Sequence, residues 1–213
     1  MMGHLHTTGA HTLKSLSFCY QKTCKYPGNV LDLGHTLCIP HKACGYVGSD
    51  MKLKTKGGRK AALEYAERGW AVLPLLPRKK DPHFDLVQRA YLSATTDSKL
   101  INFWFDYNQD INIGIACYQS GIVVFDIDFR NGGNIDERFE PTYTVKTGDG
   151  FHLYYQANQS DVFAGKLETG IDIKWKGYVA AAPSTHPSGA TYTVVDDRNP
   201  VVLPEQLREW ASK

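Results

Sequence analysis

Three aspartates and one histidine carry the chemistry that can be read from this chain. In GIVVFDIDFR, residues 121–130, an apolar β-branched run leads into Asp126-Ile127-Asp128, and the chain then breaks at Asn131-Gly132-Gly133. Such a run, ended by a glycine pair, predicts a buried strand. Alternation along that strand puts Asp126 and Asp128 on one face, with Cα atoms about 6.6 Å apart, and sends Phe125 and Ile127 into a core. Two carboxylates at the end of a buried strand are costly to desolvate without a positive partner. Hard divalent cations take such oxygen ligands, and a metal pair about 3.5–4 Å apart serves phosphoryl transfer. A lone Asp-x-Asp is equally explained by two solvated side chains just past a strand, so the downstream residues decide. Asp172 is embedded in the apolar stretch GIDIK, residues 170–174, and His152 follows the tight turn Gly148-Asp149-Gly150 in FHLYY, residues 151–155. A strand histidine by itself is ordinarily structural, but a glycine turn lets a backbone come close to a phosphate. A shared cation accounts for all three strand aspartates at once.

A second constellation lies upstream. Cys19-x4-Cys24 and, after a 13-residue gap, Cys38-x2-His41 form two short ligand clips. Thiolates and an imidazole so spaced suit a tetrahedral structural zinc ion. A segment this short cannot hold itself together by apolar burial, so metal would supply most of its folding free energy. His35 and Cys44 are alternatives for the fourth ligand, and reduced cysteines without metal are the plain alternative for the segment. Four of five cysteines fall between 19 and 44, which argues for a local metal site and a reducing compartment over a disulfide framework.

The remaining residues supply the elements that must position these groups. At 213 residues there is room for one medium domain and a small appendage. The expected division is a leader at 1–15, a zinc module at 16–47, a linker at 48–58 and a main domain at 59–213. The formal charge of +2 requires any nucleic-acid contact to come from local patches. No apolar run reaches the roughly 18 residues of a membrane span, and the first residues have no apolar signal core, so a cytoplasmic protein is expected. KAALEYAERG (60–69) predicts a helix stopped at Gly69, WAVLPL (70–75) a strand, and PRKKDP (77–82) a basic loop whose lysines are either solvated or phosphate contacts. Thr96 or Asp97 caps a helix through SKLINFWFDYN (98–108), and NIGIA (112–116) predicts another strand. TYTVKT (142–147) and FHLYY read as a hairpin, in which His152, Tyr154 and Gln156 share a face. YVAAAPS (178–184) and TYTVV (191–195) add strands, and Pro204 opens a C-terminal helix. This order of elements predicts an α/β layer and not a helix bundle.

On these residues the chain resembles the bifunctional primase–polymerase domain of the archaeo-eukaryotic primase superfamily, found in phage and plasmid replication proteins. The likeness runs from about residue 60 to 195, through GWAVLPLLPRKKDP, NIGIA and TYTVKTGDGFHLYY to GIDIKWKGYVAAAPSTHPSG. The acidic pair is Asp126 and Asp128, the small-x-His motif is Gly150-Phe151-His152, and the apolar-acid motif is Ile171-Asp172. The resemblance implies an α+β fold with an RRM-like catalytic sheet beside a smaller α/β unit. It also implies that Asp126, Asp128 and Asp172 hold two Mg²⁺ or Mn²⁺ ions, with His152 at the phosphates of the incoming nucleotide. Gly150 belongs to that nucleotide site, and Lys146, Lys174 and Arg130 are expected to add positive charge there. The implied reaction is template-directed transfer from (d)NTPs to a 3′-hydroxyl, with single-stranded DNA template and primer as partners. No GxxxxGK[ST] loop is present, so a helicase of the same replication system would lie in another chain or in a part of the protein outside this sequence. The stretch 133–141 is too short for the helix commonly placed there. The upstream module likewise resembles small zinc fingers of phage proteins. Two rivals stay open: a metal-dependent nuclease using Asp126 or Asp128 with Asp172-x-Lys174, and a non-catalytic single-stranded DNA binder with stacking aromatics. A rolling-circle nickase is disfavoured, because the one His-x-His pair, His4-Leu5-His6, lies in the leader.

Overall fold

A computed structural model describes residues 57–212. The expected zinc ligands Cys19, Cys24, Cys38 and His41, their alternatives His35 and Cys44, and the leader lie outside the described residues, as does all but the end of the expected linker.

The first element, α1 (Gly57–Glu67), starts inside the stretch expected to be linker and stops before Gly69, whose φ of +81° ends it as predicted. Next come β1 (Val72–Leu75), α2 (Ser98–Tyr107), β2 (Asn112–Ala116) and β3 (Ile122–Asp128). Asp97 caps α2, its carboxylate accepting from the Lys99 N–H at 2.8 Å. The chain continues through β4 (Tyr143–Lys146), β5 (Gly150–Gln156), β6 (Lys166–Glu168), β7 (Ile171–Lys174), β8 (Tyr178–Ala181), β9 (Thr193–Asp196) and α3 (Glu205–Ala211). Sequence patterning did not reveal β6, a three-residue strand with no apolar alternation.

These strands form two antiparallel sheets, β1-β2-β8 and β6-β7-β3-β5-β4-β9, so the fold is mixed α+β as expected. One core lies between the small sheet, α1, α2 and one face of the large sheet, where Trp104, Ile115, Val124, Val145 and Tyr154 pack. A second core covers the other face, with Phe125, Ile127, Leu153, Tyr155 and Ile171 under Leu207 and Ala211 of α3. Burial on both faces is why β3 reads as a continuous apolar run and not an alternating one. Among the described residues, no helix is long and apolar enough to cross a membrane.

Between Asn131 and Tyr143 the chain forms no α-helix. The segment is pinned instead by Phe139, whose ring meets Phe125 edge-on at 5.6 Å, and by Arg138. That guanidinium donates to Glu168 on β6 at 2.6 and 3.0 Å and to Asp136 at 2.7 Å. Its hydrogen bonds hold both carboxyls below their usual range. A depressed carboxyl stabilises the fold above its unfolded value, near pH 4, and the stabilisation is lost as pH falls through the folded value. Arg138→Met is therefore expected to cost about 1–2 kcal/mol at pH 7. Melting curves of both proteins should converge as pH falls from 5 to 3; a penalty independent of pH would show that packing, not the ion pairs, sets it.

Candidate active site

The register of three strands builds the site. Asp126 on β3 lies directly opposite His152 of β5 on one side and Asp172 of β7 on the other. Directly opposed residues share a sheet face, so Asp172, Asp126 and His152 form a row across the strands. Asp128 is opposite Gly150 on the same face, one pleat further along. That face is the one turned towards the small sheet.

Within the row, His152 Nε2 is 3.3 Å from Asp126 Oδ1. Lys174 Nζ lies 2.8 Å from Asp172 Oδ2 and 4.0 Å from Asp126 Oδ2. Burial alone would raise the Asp126 carboxyl, but the His152 ring, Lys174 and Lys80 together hold it below its ordinary value. It is a carboxylate at neutral pH. Asp128 accepts from the Arg130 N–H at 3.1 Å and from Asn131 Nδ2 at 2.8 Å. Arg130 Nε reaches Asp149 at 3.0 Å and Asp128 at 3.6 Å, so this cation is tied to acids at the rim.

The donor set fits a divalent cation in type. Three carboxylates share one face, and an ammonium, Lys174, already sits where positive charge is needed between two of them. Among the described residues no group of three acids, histidines or cysteines is gathered around a single point. The rotamers explain this: Asp172 is turned to Lys174 and Asp128 to Asn131.

One expectation changes. Lys146 pairs with Phe151, not His152, so the pleat carries its side chain to the opposite face from the acids. Its place in the nucleotide site is corrected accordingly: one residue along a strand reverses direction. Gly150 has a packing reason to be glycine as well, since a Cβ there would stand 1.8 Å from the Ile127 carbonyl oxygen. The strands come too close for a side chain.

A cavity of about 580 Å³ opens beside the row; Asp126, His152 and Lys174 line it together with Lys80, Tyr178 and Tyr192. His152 is only 3% exposed, and its Nδ1, like the Tyr154 and Tyr192 hydroxyls, is buried without a partner among the described residues. Sequence reading did not single out Asn112, His186 or Tyr192. Asn112 looks like a strand end, and His186 stands in a proline- and glycine-containing loop with no periodic signal. Cys117 is wholly buried, and burial pushes its thiol up to about 12, so it is neither a ligand nor a nucleophile.

The family model for the N-terminal domain of bifunctional DNA primase/polymerases matches residues 62–206, which contain every strand of both sheets. No curated protein matches the chain.

Proposed function

Because the chain belongs to the bifunctional DNA primase/polymerase family, and so to enzymes of the nucleotidyltransferase type, we propose that it extends a primer by two-metal nucleotidyl transfer. The observation that carries this reading is the register of Asp172 opposite Asp126, which joins residues 46 positions apart into one acidic row (172 minus 126). Mg²⁺ or Mn²⁺ held by Asp126, Asp128 and Asp172 would supply Lewis-acid activation of the 3′-hydroxyl and neutralise charge at the leaving pyrophosphate. The 3′-hydroxyl gives up its proton to solvent, and its oxygen bonds to the α-phosphorus as the bond to pyrophosphate breaks. His152 holds Asp126 ionised and in place, and its position on the cavity wall supports the phosphate contact expected of it. Lys174 keeps the acids from repelling one another before substrate arrives, and it then faces the triphosphate. Arg130 offers a further cation at the rim.

The partners in this reading are single-stranded DNA template, primer and (d)NTPs, with unwinding left to a helicase of the same replication system. The setting is phage or plasmid replication in a host cytoplasm, and a structural zinc ion would be held by Cys19, Cys24, Cys38 and His41.

Primer extension with labelled DNA tests the proposal. Extension should require Mg²⁺ or Mn²⁺, cease in chelator, and fall by about 10²–10³-fold in Asp172→Ala. The nuclease reading has one observation in its favour: Lys174 bridges Asp172 and Asp126 as a water-orienting lysine would. Metal-dependent cleavage of single strands without any nucleotide-dependent extension would select it.

A further inference from the structure

Resting on the nucleotidyl-transfer reading, we propose that the small-sheet side of the site supplies a polyphosphate-binding wall, formed by Lys80 and His186 and positioned by Asn112.

Asn112, the first residue of β2, is 4% exposed and uses its carboxamide as a joint between two loops. Its Nδ2 donates to the Lys79 carbonyl at 3.0 Å and to the Thr185 carbonyl at 2.8 Å. Its Oδ1 accepts from the Thr185 N–H at 2.9 Å. A buried amide satisfied in this way ties the basic loop 77–82 directly to the loop 184–189. The first loop delivers Lys80 to the cavity beside the acid row, and the second places His186 against Tyr192, whose ring meets that of His152.

From the first loop, Lys80 lines the same cavity as Asp126 and His152. Its carbonyl accepts from the Tyr178 hydroxyl at 2.9 Å, which anchors the residue, while its ammonium makes no ion pair with the described residues. From the second loop, His186 lies against the turn between β4 and β5: a Cβ on Gly148 would be 3.0 Å from its Nδ1. That Nδ1 accepts from the Ser188 N–H at 3.1 Å, so in the neutral ring Nε2 carries the proton. The rings of His152, Tyr192 and His186 follow one another at 5.7 and 5.8 Å, leading from the acid row to the loop. Burial, Lys80 and Arg130 hold the His186 imidazole below its ordinary value against the opposing pull of Asp126 and Asp128. Its Nε2–H is thus a neutral donor within the electrostatic reach of Lys80, which makes no ion pair among the described residues.

A site with carboxylates on one wall and cation plus N–H donors on the other suits a ligand that carries metal on one side and phosphate oxygens on the other. A nucleoside triphosphate and the pyrophosphate it releases share that chemistry.

The test is calorimetric titration of the full chain with tripolyphosphate, a non-hydrolysable dNTP and orthophosphate, each with Mg²⁺, alongside steady-state extension. Lys80→Met and His186→Gln are each expected to weaken tripolyphosphate and dNTP binding about tenfold and to raise the nucleotide KM more than they lower kcat. Asn112→Ala should do the same with both loop residues intact, since it acts through position. Wild-type tripolyphosphate affinity in both Lys80→Met and His186→Gln overturns the wall even if Asn112→Ala fails to fold. Orthophosphate binding as tight as tripolyphosphate overturns the polyphosphate assignment. Asp126→Ala separates the two levels: if it extends like wild type the transfer reading fails, whereas an inactive Asp126→Ala beside unaffected wall variants refutes only the wall.

Discussion

Replacing Asp126 and Asp128 together with alanine is expected to reduce primer extension by at least about 10³-fold while leaving the fold intact. Both side chains sit at the open end of β3, half-buried and on the face that lines the cavity side, so truncation empties no packed core. Their loss removes two of three hard oxygen donors, and metal stabilisation of transition-state charge is worth several kcal/mol, each tenfold in rate being about 1.4 kcal/mol. Deleting Asp126 also leaves His152 Nε2 without its acidic neighbour, while Lys174 keeps Asp172 at 2.8 Å. Extension assays with circular dichroism on the same preparation check this. A folded double variant that extends within tenfold of wild type removes the acidic row from the chemistry.

The second large effect is expected far from any ligand. Gly170 and Gly133 lie back to back where the loop after β3 meets the turn before β7. A Cβ on Gly170 would stand 2.1 Å from the Gly133 nitrogen and 2.8 Å from the Asn131 carbonyl oxygen, and Gly170 has a φ of +76°. The Gly170 carbonyl accepts the Asp128 N–H at 2.8 Å, and the Gly133 N–H donates to the Asp128 carbonyl at 3.0 Å. This contact therefore seats Asp128 and, two residues beyond Gly170, Asp172. Backbone cannot yield as a side chain does, so Gly170→Ala should cost about 3 kcal/mol or more and abolish extension. Gly132→Ala is the matched control: its φ of +85° is equally unfavourable, but nothing lies within 4 Å, and a cost of about 1–2 kcal/mol is expected. Equal melting temperatures for the two variants would show that the back-to-back contact does not hold β7.

Lys146 marks how far patterning reaches. Its charge and its nearness in sequence to Gly150 placed it at the phosphates, yet its partner across the hairpin is Phe151. Periodicity identified both strands, but the register between them depends on the turn, and a one-residue difference reverses the face. Lys174, by contrast, lies two residues beyond Asp172 on the same strand, so alternation alone put it on the acid face.

What the amino-acid sequence determined by itself is local: the buried run of β3, the shared face of Asp126 and Asp128, a capped start for α2 at Thr96 or Asp97, and the Gly69 stop. Each follows from side-chain period or from backbone preference within a few residues. Tertiary structure alone decided which strands flank β3, and so set Asp172 and His152 on either side of Asp126. It also decided that Asn112 joins the loop that carries Lys80 to the loop that carries His186. Those relations join residues some tens of positions apart, and they come from pairing and packing energies that no short window of sequence contains.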